Sequence, residues 1–413
     1  MLTTDFGLKS VKKSFGTPLL PGAVGRDTFH VNGPTPCAVR GEGFLIIDEN
    51  GHELIDGNGN HTSLVHGNAH PEIVEAAERA IRDGSCWGVP NQLEWSHAEL
   101  LLAKFPHMDQ VRYANSGTEA VMTALRVARA VTGRDKILML AGAYHGSSDS
   151  ALVAGGPKYT RGIPEATVQA VQTVPINDQG ALQQAVEADP DGFAAIIIDA
   201  MPNRAGLVSV SKDYLAAARS LATKHGIVLI LDEVISLRLG PGGISGHLGV
   251  APDLITSAKY IGGGFPVGAV LGIAELMGNL DPNHDRPLPN AGTFTGNPVS
   301  MAAGAKAIEL LTGSEIERIN ALGDLARDIV SPLIAPYGWE MRGFGSLLRP
   351  YPKEGTPAAF QQRSIWVAAY QTGLLLTQTN LCALSTAMDE SVVRDISSRL
   401  ANSVVVGLEA SGN

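Results

Sequence analysis

A lysine at the end of an apolar run is the first residue of this sequence whose surroundings suit chemistry. Lys259 follows the run Asp253–Ala258, and three consecutive glycines, Gly262–Gly264, come shortly after it. Most lysines are solvated, so a surface lysine that begins a turn is the ordinary interpretation. The alternative is a nucleophilic amine held in a cleft, where glycines let the backbone approach a ligand. Residues elsewhere in the chain have to decide between the two.

A carboxylate stands at the end of another apolar run, IVLILD, which closes with Asp232. An acid at the end of a buried strand is costly unless a cation or hydrogen-bond donors meet it. An internal salt bridge would satisfy Asp232. So would the protonated ring nitrogen of a heterocyclic cofactor. Both interpretations stay open on these residues alone.

Three further segments carry groups that could bind a ligand. Ser116 and Thr118 stand where a helix begins, which suits an anion, although Ser116 and Glu119 also have the spacing of a capping box. Tyr144-His145-Gly146 follows a predicted strand, so its aromatic ring could pack in the core or cover a flat ring. Gly292–Pro298 is a second loop of hydroxyls and glycines before a helix.

The elements that must position these residues form an alternating pattern between about residues 110 and 275. Near-continuous apolar strands separated by helices indicate a parallel sheet covered on both faces, and ligands bind at the carboxyl ends of such strands. The predicted strands are Lys136–Leu140, Ala195–Asp199, Ile227–Asp232 and Leu254–Ala258. The predicted helices include Gly117–Thr132, Lys212–His225, Met301–Leu311 and Glu315–Leu333, and Asn50-Gly51 predicts a hairpin turn. We expect a large α/β domain over residues 56–299 and a smaller one from residues 1–55 and 300–413.

Composition narrows the class of protein. The chain has 413 residues, 44% apolar and 17% charged, with a net charge of −10 and no basic block that would bind nucleic acid or an anionic membrane. No apolar run approaches the roughly 18 residues that span a bilayer, and the N-terminus lacks the apolar core of a secretion signal. The three cysteines are far apart and lack metal-ligand spacing, so we expect no metal site and a cytoplasmic location.

Five motifs in this order and spacing resemble the class III pyridoxal-phosphate aminotransferases: ANSGTEAVMTALRVAR, AYHG, DEV, SAKYIGGGFPVGA and AGTFTGNPVSMAA. The resemblance extends over about residues 20–395. It is strongest to glutamate-1-semialdehyde 2,1-aminomutase and the β-amino-acid transaminases. It implies fold type I, with a large domain built on a mainly parallel seven-stranded sheet and a small α+β domain from both chain ends. It also implies pyridoxal 5'-phosphate as cofactor.

The resemblance further implies a role for each matching residue. Lys259 would bind the cofactor as a Schiff base and carry the proton, and Asp232 would pair with the pyridinium nitrogen. The remaining cofactor contacts would be the phosphate cup of Ser116, Gly117 and Thr118, the ring neighbours Tyr144, His145 and Val234, and Thr293. Thr293 would reach the cofactor of a neighbouring subunit, so the resemblance implies a homodimer with shared active sites.

The sequence departs from the family pattern in the segment Asp199–Gly206. Asp199-Ala200 replaces the usual glutamate-proline pair, and Arg204 falls where the aminomutase has an asparagine near the cofactor's phenolic oxygen. Arg204 could bind that oxygen, capture a substrate carboxylate or leave the site. Arg40 falls where β-amino-acid transaminases hold the substrate carboxylate, a task that suits a planar guanidinium, although a surface arginine beside a hairpin is the alternative.

These inferences favour an aminotransferase that moves an amino group from a small-molecule donor to a carbonyl acceptor in two half-reactions. An aminomutase and a pyridoxal-phosphate racemase or epimerase are the alternatives within the cofactor class. A non-catalytic binding protein that kept the fold is the alternative outside it.

Overall fold

The structure is a computed structural model that describes residues 37–411. Two compact units make up the chain. The larger is Pro71–Ile316, and the smaller combines the described residues 37–70 and 317–411. The sequence-based bounds lie earlier, at 55/56 and 299/300. The first part of the predicted N-terminal segment, residues 1–36, lies outside the described residues.

The elements of the described chain are as follows. The strands are β1 (Ala38–Glu42), β2 (Leu45–Asp48), β3 (Glu53–Asp56), β4 (Gln110–Ala114), β5 (Lys136–Leu140), β6 (Val171–Val174), β7 (Phe193–Ile198), β8 (Val228–Asp232), β9 (Leu254–Ala258), β10 (Gly268–Gly272), β11 (Trp339–Arg342), β12 (Leu347–Pro352), β13 (Leu374–Leu375) and β14 (Cys382–Ala383). The helices are α1 (Gly59–Thr62), α2 (Pro71–Asp83), α3 (Gln92–Leu102), α4 (Gly117–Thr132), α5 (Asp149–Leu152), α6 (Glu165–Gln169), α7 (Gln179–Ala188), α8 (Lys212–His225), α9 (Gly243–Leu248), α10 (Ala274–Met277), α11 (Pro298–Leu310), α12 (Gly313–Ile334), α13 (Ala359–Gln371) and α14 (Glu390–Glu409).

The larger unit is built on one seven-stranded sheet in the order β4-β10-β9-β8-β7-β5-β6. Strand β10 runs antiparallel to both of its neighbours, and the other pairs are parallel. This is the mainly parallel sheet that the sequence predicts. Strands β7, β8 and β9 are buried along their whole length, which explains why they read as continuous apolar runs rather than as alternating ones.

Glycines end the two helices that were predicted with the right bounds. Helix α4 ends at Gly133 and helix α8 at Gly226, with left-handed φ values of 68° and 61° that favour glycine. Helix α11 begins three residues before its predicted start, because the Asn297 side chain caps it by accepting from the N–H groups of Val299 and Ser300. This helix packs on α2 and α3 and therefore belongs to the larger unit.

The smaller unit contains two antiparallel-rich sheets, β1-β2-β3-β13 and β11-β12-β14. The predicted hairpin is the β2–β3 pair, and its turn contains Gly51 with a φ of 80°. Helices α13 and α14 pack together, and the Trp366 and Tyr370 rings stack in the core with centroids 5.6 Å apart. No described helix has the length and apolar character to cross a membrane.

Candidate active site

The predicted site residues of the larger unit gather at the carboxyl ends of its parallel strands. Asp232 is the last residue of β8, Lys259 directly follows β9, and Asp199 directly follows β7. Tyr144 and His145 lie in the loop after β5. Parallel neighbours end at the same edge of a sheet, which is the usual position of a ligand site in this architecture.

Asp232 is buried, and three hydrogen bonds hold its carboxylate. Its Oδ2 lies 2.7 Å from Nδ1 of His145, and its Oδ1 accepts from the Thr256 hydroxyl at 3.0 Å and the Val234 N–H at 3.2 Å. The internal partner of the acid is therefore a histidine rather than a lysine or arginine. His145 is fully buried too, and among the described residues its Nε2 has no hydrogen-bond partner. The Nε2 atom of this pair is therefore able to bond to another group.

The two other charged groups at this edge influence one another. Burial, together with the neighbouring Asp232 carboxylate, raises the pKa of Asp199 to about 7. Burial lowers the pKa of the Lys259 amine, and the Asp232 and Asp199 carboxylates oppose that shift. The amine therefore lies within electrostatic reach of both acids, and its neutral, nucleophilic form is favoured by desolvation.

Lys259 has an unusual backbone conformation, with a φ of 62° at the start of the one-turn helix Lys259–Gly262. The glycines that follow serve this turn. A Cβ at Gly262 would lie 2.6 Å from Cγ1 of Val267, and one at Gly263 would overlap the main-chain carbonyl of Ala303 on α11. These two glycines therefore permit close packing of the protein against itself, and the approach of this backbone to a ligand stays a prediction.

The residues that were predicted to form an anion cradle lie at the start of helix α4. Ser116 caps the helix by accepting from the Glu119 N–H at 3.2 Å, whereas the Glu119 carboxylate accepts from the Asn115 N–H instead of closing the capping box. A Cβ at Gly117 would lie 3.2 Å from a Val234 methyl group, so glycine permits this close approach. The Thr118 hydroxyl accepts from the Ser147 N–H at 3.2 Å, which ties the cradle to the loop after β5.

Arg204 stacks on aromatic rings. Its guanidinium carbon lies 4.0 Å from the centroid of Tyr144 and 5.0 Å from that of Tyr159. The Tyr144 ring is 40% exposed, so it is not a core residue. Stacking holds the plane of a guanidinium in a fixed orientation. Tyr159 was missed from the sequence, because no local pattern indicates that its loop meets Arg204.

Two further predicted residues, Thr293 and Arg40, make contacts with other residues. Thr293 is exposed, and its main-chain carbonyl lies 3.6 Å from the Cys86 sulfur. Arg40 belongs to β1 of the smaller unit, where its guanidinium pairs with Glu42 at 2.7 Å and 68% of its side chain is exposed. Thr256 was also missed, although a hydroxyl in a buried strand that pairs with Asp232 was a usable signal.

Charged residues also lie near the amino ends of the strands, at the edge of the sheet opposite to Asp232 and Lys259. A cavity of about 590 Å³ lies near the amino ends of β8 and β9, and Arg134, Arg219 and Asp253 line part of it. Arg219 pairs with Asp253 at 2.9 Å, and Arg134 donates to main-chain carbonyls, including that of His225 at 2.8 Å. These arginines are bonded to protein groups at the ends of neighbouring elements. The residues at the carboxyl edge are therefore the better candidates for a ligand site.

The residues at the carboxyl edge fit a cofactor with three features. The N-terminus of α4 with Ser116 and Thr118 suits a phosphate, the buried Asp232 suits a protonated ring nitrogen, and the Lys259 amine suits an electrophilic carbon. Two observations agree with a preformed binding site. Gly117 permits a close approach to Val234, and the buried Nε2 atom of His145 has no hydrogen-bond partner among the described residues. Pyridoxal phosphate has all three features.

Comparison with known proteins agrees with this geometry. The family described as "Aminotransferase class-III" matches residues 29–389. A glutamate-1-semialdehyde 2,1-aminomutase from Ignicoccus hospitalis is 37% identical over 345 residues, which cover 81% of each chain. An omega-transaminase structure from Sphaerobacter thermophilus is 37% identical with a TM-score of 0.90, covering 94% of this chain and 95% of its own. A β-phenylalanine aminotransferase structure from Variovorax paradoxus is 29% identical with a TM-score of 0.86, covering 95% and 92%. The chain therefore belongs to the class III aminotransferases, enzymes of fold type I that use pyridoxal phosphate.

Proposed function

We propose that this edge of the sheet transfers an amino group between an amine or amino acid, including β-amino acids, and a keto acid or aldehyde. Lys259 and Asp232 are the catalytic residues of the proposal. The observation that carries it is the placement of Lys259 within electrostatic reach of Asp232 and Asp199, next to the His145–Asp232 pair. The donor and the acceptor are small molecules that react in separate half-reactions.

Bound pyridoxal phosphate supplies a protonated ring that accepts the electrons released when a C–H bond next to the amino group breaks. Asp232 keeps the proton on the ring nitrogen. Its three hydrogen bonds hold the carboxylate in one orientation, so little reorganisation is needed during the reaction. The hydrogen bond from the His145 imidazole would hold the Asp232 carboxylate in this orientation.

Lys259 has two tasks in this proposal. Its Nζ binds the cofactor covalently, which requires the neutral amine, and burial lowers the pKa of that amine. Nζ would then be the base that removes the proton from the substrate carbon and returns it to the aldehyde carbon of the cofactor. Ser116, Gly117 and Thr118 would hold the phosphate, and Tyr144 and Val234 would pack against the ring.

We also infer a homodimer in which Thr293 of each copy completes the phosphate site of the other. The loop that contains Thr293 lies beside exposed apolar side chains, and this surface is formed by Trp87, Val89, Trp95 and Phe294. Val89 is 69% exposed and Phe294 is 61% exposed, values that are unusual for apolar groups so close together. Two hydrogen bonds fix the geometry, from Asn297 to the Ser85 carbonyl and from Asn91 to the Gly296 carbonyl. A second copy with the same surface would cover these groups.

Sedimentation velocity tests the dimer. Phe294→Glu should shift the protein toward monomer and reduce cofactor retention, because a buried charge would oppose association. Val131→Glu, which introduces the same charge at an exposed apolar residue near the C-terminal end of α4, is the matched control and should remain dimeric. A wild-type monomer that keeps full activity would remove the dimer from the proposal.

The substrate carboxylate has two candidate partners, Arg40 and Arg204. The stacked guanidinium of Arg204 supports it as the reader of the substrate, because stacking holds the planar fork that a carboxylate needs. An arginine at this position also departs from the asparagine of the aminomutase pattern, which favours a transaminase over the aminomutase alternative. A racemase or epimerase stays as the second alternative.

One experiment separates these activities. A donor amine is added to the yellow enzyme with no acceptor present. The proposed transaminase loses its visible absorbance band and releases one carbonyl product per site. A racemase scrambles the chirality of the donor without net release, and an aminomutase converts its own substrate without a second one. Either result in place of carbonyl release would overturn the transaminase assignment.

A cytoplasmic location is part of the proposal as well. Cys37, Cys86 and Cys382 all carry free thiols, as expected for a reducing compartment. Cell fractionation followed by activity measurement tests it.

A further inference from the structure

His97 forms a buried bridge beneath the turn that carries Lys259. The side chain projects from helix α3 and is 0% exposed. Its Nδ1 lies 2.7 Å from the Tyr113 hydroxyl on β4, and its Nε2 lies 2.7 Å from the main-chain carbonyl oxygen of Ile261. Ile261 belongs to the one-turn helix that begins at Lys259. One imidazole therefore connects a helix, a strand and the lysine turn.

The chemistry of the two partners fixes the tautomer of His97. A carbonyl oxygen can only accept, so Nε2 carries the hydrogen and donates to Ile261. Nδ1 is then the acceptor, and the Tyr113 hydroxyl donates to it. Burial lowers the pKa of His97 to about 4, so the ring is neutral at ordinary pH and the bridge keeps this polarity.

The Ile261 carbonyl is closely packed on the side of α11. A Cβ at Gly304 on α11 would overlap that carbonyl and lie 2.8 Å from Nε2 of His97. The carbonyl is thus enclosed between α11 and the imidazole. A buried carbonyl that loses its donor remains unsatisfied, so the turn would have to shift to reach another donor.

The turn also contains a strained backbone conformation, at Lys259. Lys259 has a left-handed φ of 62°, which disfavours any residue with a Cβ, and such a conformation persists only where the surroundings impose it. The His97 bond fixes the turn two residues after Lys259. Gly263, with a φ of 59°, fixes its end against α11.

We propose that His97 is a positioning residue, which fixes the turn Lys259–Gly262 by its bond to Ile261 and thereby aims the Lys259 amine at the substrate carbon. The inference rests on the proposed role of Lys259 as the cofactor-binding amine. His97 acts through the turn and contacts neither the cofactor nor the substrate. An apolar residue would fill the same space but could not hold the carbonyl.

The test compares three variants as holoenzymes. His97→Leu removes both hydrogen bonds at similar volume. His97→Gln keeps an amide donor that can reach the Ile261 carbonyl. Leu182→Ala, at a fully buried position on α7, is the matched control for lost stability without a change at the turn. The readouts are kcat, KM, melting temperature, bound cofactor per chain and the visible circular dichroism of the bound cofactor, which reports how rigidly its ring is held.

For His97→Leu we expect kcat to fall about tenfold to a hundredfold, since a small misplacement of a reacting group has effects of this size. KM should change by less than about threefold, because uniform binding is untouched. The visible circular dichroism per bound cofactor should fall as well. His97→Gln should recover most of both losses. Leu182→Ala should lower the melting temperature and leave kcat and circular dichroism unchanged.

The proposal is overturned if His97→Leu behaves like Leu182→Ala, with wild-type kcat and circular dichroism at a lowered melting temperature. If His97→Leu does not fold, His97→Met, which also lacks an N–H donor to the Ile261 carbonyl, takes its place. It should show the losses of kcat and circular dichroism expected of His97→Leu, and wild-type values of both would overturn the proposal. Borohydride trapping of the cofactor on a lysine other than Lys259 would instead contradict the proposed function, so the two failures are distinguishable.

Discussion

Asp232 and Glu233 are consecutive buried acids, yet their surroundings differ in kind. The Glu233 carboxylate accepts hydrogen bonds from the N–H groups of Ile244 and Ser245 at 3.1 and 2.7 Å and from the Ser236 hydroxyl. All of these donors come from the segment that follows it in the chain. Burial raises the pKa of Glu233, and the packing is so close that a Cβ at Gly243 would lie 2.7 Å from the carboxylate carbon.

Asp232 takes its side-chain partners from other strands of the sheet. His145 follows β5 and Thr256 lies on β9, and both the Asp199 carboxylate and the Lys259 amine interact with Asp232 electrostatically. The buried Nε2 atom of His145 has no hydrogen-bond partner among the described residues. Burial alone therefore does not mark a functional acid. The two acids differ in where their hydrogen-bond partners come from. The partners of Glu233 belong to the segment that follows it, whereas Asp232 bonds to a histidine and a threonine from other parts of the sheet.

Neutral substitutions of the two acids should give the largest contrast. Asp232→Asn should lower kcat about a hundredfold to a thousandfold, because the ring nitrogen loses its charged partner. Glu233→Gln should keep kcat within about threefold and lower the free energy of unfolding by about 1–3 kcal/mol, because its amide group would face N–H donors. Steady-state kinetics and denaturant unfolding of both variants measure this. Equal kinetic losses in the two variants would erase the distinction between the acids.

The two arginines extend the contrast from acids to cations. Arg204 stacks on two aromatic rings, whereas the exposed Arg40 pairs with Glu42. If Arg204 reads the substrate, Arg204→Ala should lower kcat/KM about a hundredfold for acidic donors and little for amines without a carboxylate. Arg204→Lys should recover part of the loss, because an ammonium keeps the charge but not the planar fork.

Arg40→Ala is the matched comparison in the same assay. A selective loss in this variant, with Arg204→Ala neutral, would transfer the carboxylate to Arg40. A uniform decline for both kinds of donor in both variants would mean that neither arginine reads the substrate, and the enzyme would then act on amines in general.

Asp199 should give the smallest effect, seen in the pH dependence of stability. Its pKa is about 7 in the folded protein against an ordinary value of 3.8, so the folded state binds the proton more tightly than the unfolded state does. The stability contributed by this group is present below pH 3.8 and is lost as the pH rises toward about 7. Cofactor-free Asp199→Asn should therefore show a weaker fall in melting temperature across this window than the wild type. Parallel curves for the two proteins would assign the pH dependence to other groups.

The sequence could predict the parts of the site that depend on one strand end. Lys259 and Asp232 each stand at the end of a predicted buried strand, and parallel strands that are covered on both faces are rich in apolar residues wherever they occur. Strands β5 and β9 have their predicted bounds for the same reason. The fold class and the cofactor followed from the order of the motifs.

Contacts between segments distant in sequence could not be predicted in this way. His97 reads as one more residue of a helix, and its role depends on a carbonyl 164 positions later. The stack of Arg204 on Tyr159 depends on the conformations of two loops, neither of which has a repeating pattern. The close packing of Gly263 against α11 likewise joins segments that are distant in sequence, and no local pattern indicates it.

The most direct test of the account is to locate the cofactor. The yellow holoenzyme is reduced with borohydride and digested, and the peptide that carries the pyridoxyl group is sequenced, with Lys259→Ala treated in parallel as the control. The account predicts the label on Lys259 in the wild type, no specific label in the variant, and no measurable turnover by the variant. A label on another lysine, or turnover by Lys259→Ala at a rate near that of the wild type, would contradict it.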